Sequence, residues 1–306
     1  MLALMASPGA AAAGAARLSV TATTGMIADA ARHVGGDRVQ VTALMGPGVD
    51  PHGYRPTRSD MIALADADLV LWHGLNLEAQ MQDFLLRLAH DGIPTVAVAE
   101  HVPADQLLPY DGFEGRFDPH IWMDPDRWGY VVRAVCDAMA AARPGDAATF
   151  RANADAYLGE LARLGDYARG VLASVPSDRR VLVTAHDAFH YFGHAFGFEV
   201  LAIQGISTES EAGLHRIRDL VEVLVQRQIG AVFVESSVSD RNIRALIEGA
   251  AAQGHSVQIG GDLFSDAMGP GGTYRGTYIG MMDHNVTTIA RALGGDAPDT
   301  GMQGLL

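Results

Sequence analysis

Short runs rich in Val, Ile and Leu alternate along the chain with stretches whose apolar residues recur every three or four positions. Runs of the first kind read as strands buried on both faces, and stretches of the second kind as amphipathic helices. Regular alternation of the two predicts an α/β fold with parallel sheets and helical crossovers. Strands are predicted at Leu18–Thr24, Val39–Met45, Leu69–His73 and Thr95–Ala99 in the first half. A second set follows at Arg180–Thr184, Glu199–Gln204, Ala231–Glu235 and Val257–Gly260. Between the sets, from about Asp146 to Ser174, Phe150, Ala154, Tyr157, Leu161, Leu164, Tyr167 and Val171 mark one apolar stripe on an unbroken helix. Pro144-Gly145 before it and Pro176 after it are stop signals. Such a helix spans roughly 40 Å, the length of a small domain, and would brace two lobes rather than hinge them.

Composition narrows the class. The 306 residues are enough for about two domains of ordinary size, and 48% hydrophobic with 19% charged residues is globular. The formal net charge is −14, with no Lys anywhere, which argues against nucleic acid or an anionic membrane surface as partner. The start, MLALMASPGAAAAGAARLSV, has the small, apolar character of the second half of a secretory leader, so residues 1–17 are read as a signal-peptide remnant cut between about Ala13 and Arg17. No later segment has the roughly 20 apolar residues a membrane-spanning helix needs. The single cysteine, Cys136, sits in a helical pattern and reads as a buried thiol. No cysteine follows the leader, so the expectation is a chain free in a periplasm rather than lipid-anchored.

Of the 12 histidines, the informative ones sit at predicted strand ends or in polar turns, where ligands bind in open α/β sheets. His52 lies in GPGVDPHGYRPT after the second strand, in a turn that Pro51 and Gly53 would expose. His120 lies in FDPHIWMDPDRW, His186 ends the fifth strand in VLVTAHDAF, and Asp266 follows the last strand in GGDLFSDAM. Three imidazoles and a carboxylate suit a borderline ion such as Zn²⁺, and also Mn²⁺ or Fe²⁺. No pair has the tight spacing of a zinc finger or an HExxH helix, and each histidine taken singly fits a surface or hydrogen-bonded role. Two features favour a shared site: Asp-Pro-His occurs twice, and the candidates divide evenly between the halves.

The blocks TTGMIADAARHVGGDRVQVTALMGPGVDPHGYRPT, DADLVLWHGLNLE, DPHIWMDP, VLVTAHDAFHYFGHAFGFEV, ISTESEAG and GGDLFSDAMG, in that order, resemble the metal-binding receptors of ABC importers for zinc, manganese and iron. The resemblance implies two (β/α) lobes, each with a four-stranded parallel sheet, joined by one long rigid helix, with one metal in the interlobe cleft. It divides the chain into a lobe at residues 18–143, a linking helix at 144–176 and a lobe at 177–306. Position by position, it implies His52, His120, His186 and Asp266 as the four ligands, with His186 opening a helix, and an ABC permease as the partner of a monomeric receptor. Zinc receptors of this kind often carry a His-rich loop before the second block; the stretch from His101 to Asp118 is short and holds only His101. Three nitrogen donors pull the other way, and the order expected is zinc, then manganese, then iron.

Neighbouring residues have other readings. His190 and His194 follow His186 at helical spacing, His73 and Glu78 approach in WHGLNLE, Glu235 could orient a ligating imidazole, and Asp262 is a reserve carboxylate. Trp122 and Trp128 read as packing residues. The rival from another class is a metal-dependent hydrolase using the same histidines, with Asp187 or Glu209 as base. An adhesion role has no support in the residues. Four protein donors leave no open position for water, so the expectation is capture and delivery, not catalysis.

Overall fold

The computed structural model describes residues 16–110, 115–209 and 213–306, and most of the leader segment lies outside them. The first lobe runs β1 (Leu18–Ala22), α1 (Gly25–Gly35), β2 (Val39–Ala43), α2 (Arg58–Ala65), β3 (Leu69–Trp72), α3 (Gln82–His90) and β4 (Thr95–Ala97). Its strands form one parallel sheet in the order β2-β1-β3-β4. Then come α4 (Pro125–Ala142) and the 27-residue α5 (Ala147–Ala173), the long helix expected from the sequence. The second lobe runs β5 (Val181–Thr184), α6 (His190–Phe196), β6 (Glu199–Ala202), α7 (Leu214–Gln226), β7 (Ala231–Glu235), α8 (Arg241–Ala252), β8 (Gln258–Leu263) and α9 (Tyr278–Ala292).

All eight predicted strands are present, but the second sheet differs from the expectation of four continuous strands. It consists of two parallel pairs, β5–β6 and β7–β8. Beyond the end of β5 the backbone N–H of His186 donates to the Glu235 carboxylate at the end of β7, 2.9 Å away, and links the two pairs.

Side-chain alternation explains how the lobes are joined. Leu69 and Leu71 of β3 face one core while Val70 and Trp72 face another, and on β7 Ala231 and Phe233 separate from Val232 in the same way. One set from each sheet enters a single apolar cluster that also contains the buried faces of α1, α4, α5 and α9. The other sets pack under outer helices in two smaller clusters. The buried surface of α5 is wider than the predicted stripe, adding Gly165, Ala168 and Leu172, while Tyr167 is only half-buried and meets Thr287 across a 3.2 Å hydroxyl contact. Polar bonds cross the same core: the Asp29 carboxylate on α1 accepts from the Tyr157 hydroxyl of α5 at 3.2 Å and the Tyr278 backbone N–H of α9 at 3.1 Å.

A core shared in this way should melt as one unit. We expect a single thermal transition in which calorimetric and van't Hoff enthalpies agree, and Leu164→Ala should lower stability by about 2–5 kcal/mol without splitting it. Two separable transitions in scanning calorimetry would contradict the shared core.

Candidate metal centre

The parallel strands of both lobes send their C-terminal loops towards one cleft, and four of those loops carry the predicted residues. His52 follows β2 in a turn set by Asp50, whose Oδ1 accepts the His52 backbone N–H at 2.8 Å. Gly48 takes a φ of +72°, a conformation that favours glycine, where this loop passes the Ser236 carbonyl of the opposite lobe. The second Asp-Pro-His block repeats the turn, with His120 N–H donating to Asp118 Oδ1 at 2.9 Å. A short 3₁₀ turn, Ile121–Met123, then leads to Asp124, which caps α4 at its Pro125 start. The repeated block is thus a side-chain-closed turn that presents an imidazole.

His186 leaves the end of β5 in an irregular turn. It does not open a helix, contrary to expectation; α6 begins at His190, so His186, His190 and His194 form no helical stripe. The loop bearing Asp266 is clamped by Asn285 of α9, which accepts from Phe264 N–H at 2.9 Å and donates to its carbonyl at 2.7 Å. Trp122 of the first lobe donates to the Ser265 carbonyl of that loop at 2.7 Å, so it does more than pack.

These loops bring His52, His120, His186 and Asp266 together. One donor atom from each lies within 4.8 Å of all the others, and all four residues are buried. The turn at Pro51 and His52 is therefore not the exposed one expected: His52 is only 2% accessible. The Nε2 atoms of His52 and His120 are 3.2 Å apart, and the Asp266 oxygens lie 3.1 Å from His186 Nε2, 3.4 Å from His120 Nε2 and 3.9 Å from His52 Nε2. Donors about 2.0–2.2 Å from a tetrahedral ion are separated by roughly 3.3–3.6 Å, so these spacings suit a cation at the centre. Neither Asp266 oxygen nor His186 Nε2 makes a hydrogen bond, although all are buried. Buried polar atoms without partners are rare, and here they point at one another around a common point.

Carboxylates on the far side fix the imidazoles. Asp118 Oδ1 accepts from His120 Nδ1 at 2.7 Å, and the Glu235 carboxylate accepts from His186 Nδ1 in a short bond. His73, buried in the edge-on aromatic contact with Trp122, donates from Nε2 to the Pro119 carbonyl at 2.7 Å. Glu78 lies beneath, accepting from His73 N–H and the Thr23 hydroxyl. Burial drives His52 down to about 3, with Asp266 opposing only in part. At His120 burial also disfavours charge, but Asp118 and Asp266 prevail and raise it to about 9. His186 is likewise penalised by burial yet raised well above the ordinary range by Asp266 and Glu235. Asp266, which burial alone would raise, is held well below it by His186 and His120.

The other candidates sit elsewhere. Asp262 is exposed on β8, His194 is exposed beside Arg127, and half-buried His190 has Nδ1 3.5 Å from Asp118 and Nε2 3.0 Å from Asp187. Glu209 is exposed and accepts both hydrogen bonds of Gln80, at 2.9 and 3.1 Å. Cys136 is a buried free thiol. Sequence reasoning passed over Asp118 and Asn285; an aspartate two residues before histidine in both blocks was the available signal for the first, and none existed for the second.

Comparison with known proteins gives this geometry a lineage. The chain is 49% identical over 278 residues to the manganese-binding lipoprotein MntA of Bacillus subtilis, covering 90% of each. It is 47% identical over 274 residues to the zinc-binding protein TroA of Treponema pallidum, covering 90% of this chain and 88% of the relative. The solved structure of that periplasmic zinc-binding protein superposes with a TM-score of 0.88 at 46% identity, over 90% of this chain and 99% of the other. The family described as zinc-uptake complex component A, periplasmic, matches residues 20–292, and with this match spanning nearly all of both lobes the chain belongs to that family.

Proposed function

We propose that this protein captures one divalent transition metal between its lobes and delivers it to the permease of an ABC importer, with His52, His120, His186 and Asp266 as the ligands. The observation that carries the reading is the buried, hydrogen-bond-free convergence of Asp266 and His186 with two further imidazoles. The manganese- and zinc-binding relatives support cargo of the same class. The third nitrogen donor, His186, supports zinc ahead of manganese, and iron third. On this reading residues 18–143 and 177–306 are the lobes of a monomeric receptor, residues 144–176 connect them, and the protein works in the periplasm. Among the described residues no helix is long and apolar enough to cross a membrane. A binding role, not hydrolysis, fits four protein donors, because a catalytic ion keeps a position open for water. Of the two bases a hydrolase would use, Glu209 is engaged by Gln80 and Asp187 lies against His190. The shared core favours loop shifts and small lobe tilts over wide closure.

Titration calorimetry of chelator-stripped protein should give one tight site per chain for Zn²⁺, with Mn²⁺ competing for it. A stoichiometry far from one, or independent sites for the two ions, would contradict the reading. Because Asp118 fixes the tautomer and orientation of His120, Asp118→Asn should weaken binding by about 10–100-fold while leaving the stoichiometry at one. The pH dependence follows from the raised imidazoles. In the metal-free protein His120 keeps its proton up to about pH 9, and His186 is raised as well, so an incoming ion displaces these protons. Affinity is therefore highest above that range and falls as pH drops, by about tenfold per pH unit for each proton displaced. Calorimetry at pH 7 in buffers of different ionisation enthalpy should detect proton release on binding, and its absence would contradict the charge balance described.

A further inference from the structure

The four donor residues are at most 2% accessible, so cargo leaves only when something over the cleft moves. Contacts between the lobes fall into two groups. Deep ones are fully buried: Trp122 Nε1 to the Ser265 carbonyl at 2.7 Å, and the Tyr278 hydroxyl to the Trp122 carbonyl at 2.8 Å. Shallower ones include Leu108 N–H to the Tyr191 hydroxyl at 3.0 Å, Arg127 beside His194, and two from adjacent residues beyond β6. The Thr208 hydroxyl donates to Asp50 Oδ2 at 2.5 Å, and Glu209 accepts from Gln80. Hydrogen bonds within reach of water open at lower cost than buried ones. Water reaches the Thr208 bond, because Asp50 and Thr208 line a cavity of about 630 Å³ together with Gln204, Ser237 and Arg241.

Asp50 is not an ordinary bridging residue. While Oδ2 takes the Thr208 hydroxyl of the opposite lobe, Oδ1 closes the turn that presents His52. One carboxylate thus serves both lobe contact and ligand placement. Resting on the metal-receptor reading above, we infer that Thr208 and Asp50 form a latch that sets how long the cargo stays bound. Both are positioning residues: Thr208 holds Asp50, and Asp50 holds the His52 turn. When the Thr208 bond opens, Asp50 loses its fixed orientation and the His52 donor is released from the first lobe's side of the ion. The deep contacts at Trp122 persist and keep the frame intact.

The test is the release rate of Zn²⁺ from loaded protein into excess chelating dye by stopped flow, for wild type, Thr208→Val, Thr208→Ser, Asp50→Ala and the Thr208→Val/Asp50→Ala pair. Thr208→Val removes the hydroxyl at nearly constant shape and should speed release about tenfold, the usual effect of losing a hydrogen bond to a charged group. Thr208→Ser keeps the hydroxyl and should stay within about twofold of wild type, and the double variant should release no faster than Asp50→Ala alone. Release from Thr208→Val within about twofold of wild type overturns the latch, as does a double variant whose effect is the product of the single ones. Should Asp50→Ala fail to fold, the valine–serine comparison decides alone. Wild-type protein that binds neither Zn²⁺ nor Mn²⁺ tightly overturns the receptor reading itself, a result distinct from a latch failure.

Discussion

The Asp266 carboxylate is the constraint around which the rest of the structure is arranged. It is ionised and almost wholly removed from water, with the imidazole nitrogens of His186 and His120 3.1 and 3.4 Å from its oxygens. Burying an ion costs several kcal/mol unless opposite charge is held close by. Here that charge must come from imidazoles on both lobes: His120 from the first and His186 from the second, while His52 stays neutral. Without a cation, protons on His120 and His186 supply it; with one, the ion does. The lobes are therefore joined electrically at the same point where a metal would join them chemically.

Such a site needs a frame that holds loops to within fractions of an ångström, and the strand alternation provides it. Because one face of each sheet enters a common core with α1, α4, α5 and α9, the two lobes share a foundation below the cleft. Above it, side-chain hydrogen bonds connect them. Trp122 and Asn285 fix the Asp266 loop from below, while Asp50 and Thr208 meet at the mouth. With the proposed latch, rigidity and release belong to different layers: packing sets where the donors stand, and the half-buried polar contact at the mouth governs access.

Much of this was legible in the residues. Short apolar runs located all eight strands and a period-3.6 stripe located α5, because those patterns record local burial directly. The meeting of His52, His120, His186 and Asp266 was legible from strand-end placement together with the ordered blocks shared with a known family. Pairing was not: nothing in Arg180–Glu235 tells that the second sheet would be two separate pairs, since hydrophobic patterns record burial and not which strands are hydrogen-bonded. The start of α6 was missed because the polar turn from His186 to Phe189 breaks no apolar period. The repeated Asp-Pro-His block carried a further signal in the spacing of Asp50 and Asp118 to histidine, which sets a turn in each case. Contacts such as Thr208–Asp50, 158 positions apart, exist only once both lobes are folded.

The central claim is that four side chains, two from each lobe, enclose one metal ion. Anomalous diffraction at the metal absorption edge, on crystals of the Zn²⁺-loaded protein, addresses it most directly. The account predicts one strong peak within bonding distance of Nε2 of His52, His120 and His186 and of an Asp266 oxygen, with no water completing the shell. A peak elsewhere, or an ion held by three of these residues and a water molecule, would contradict it.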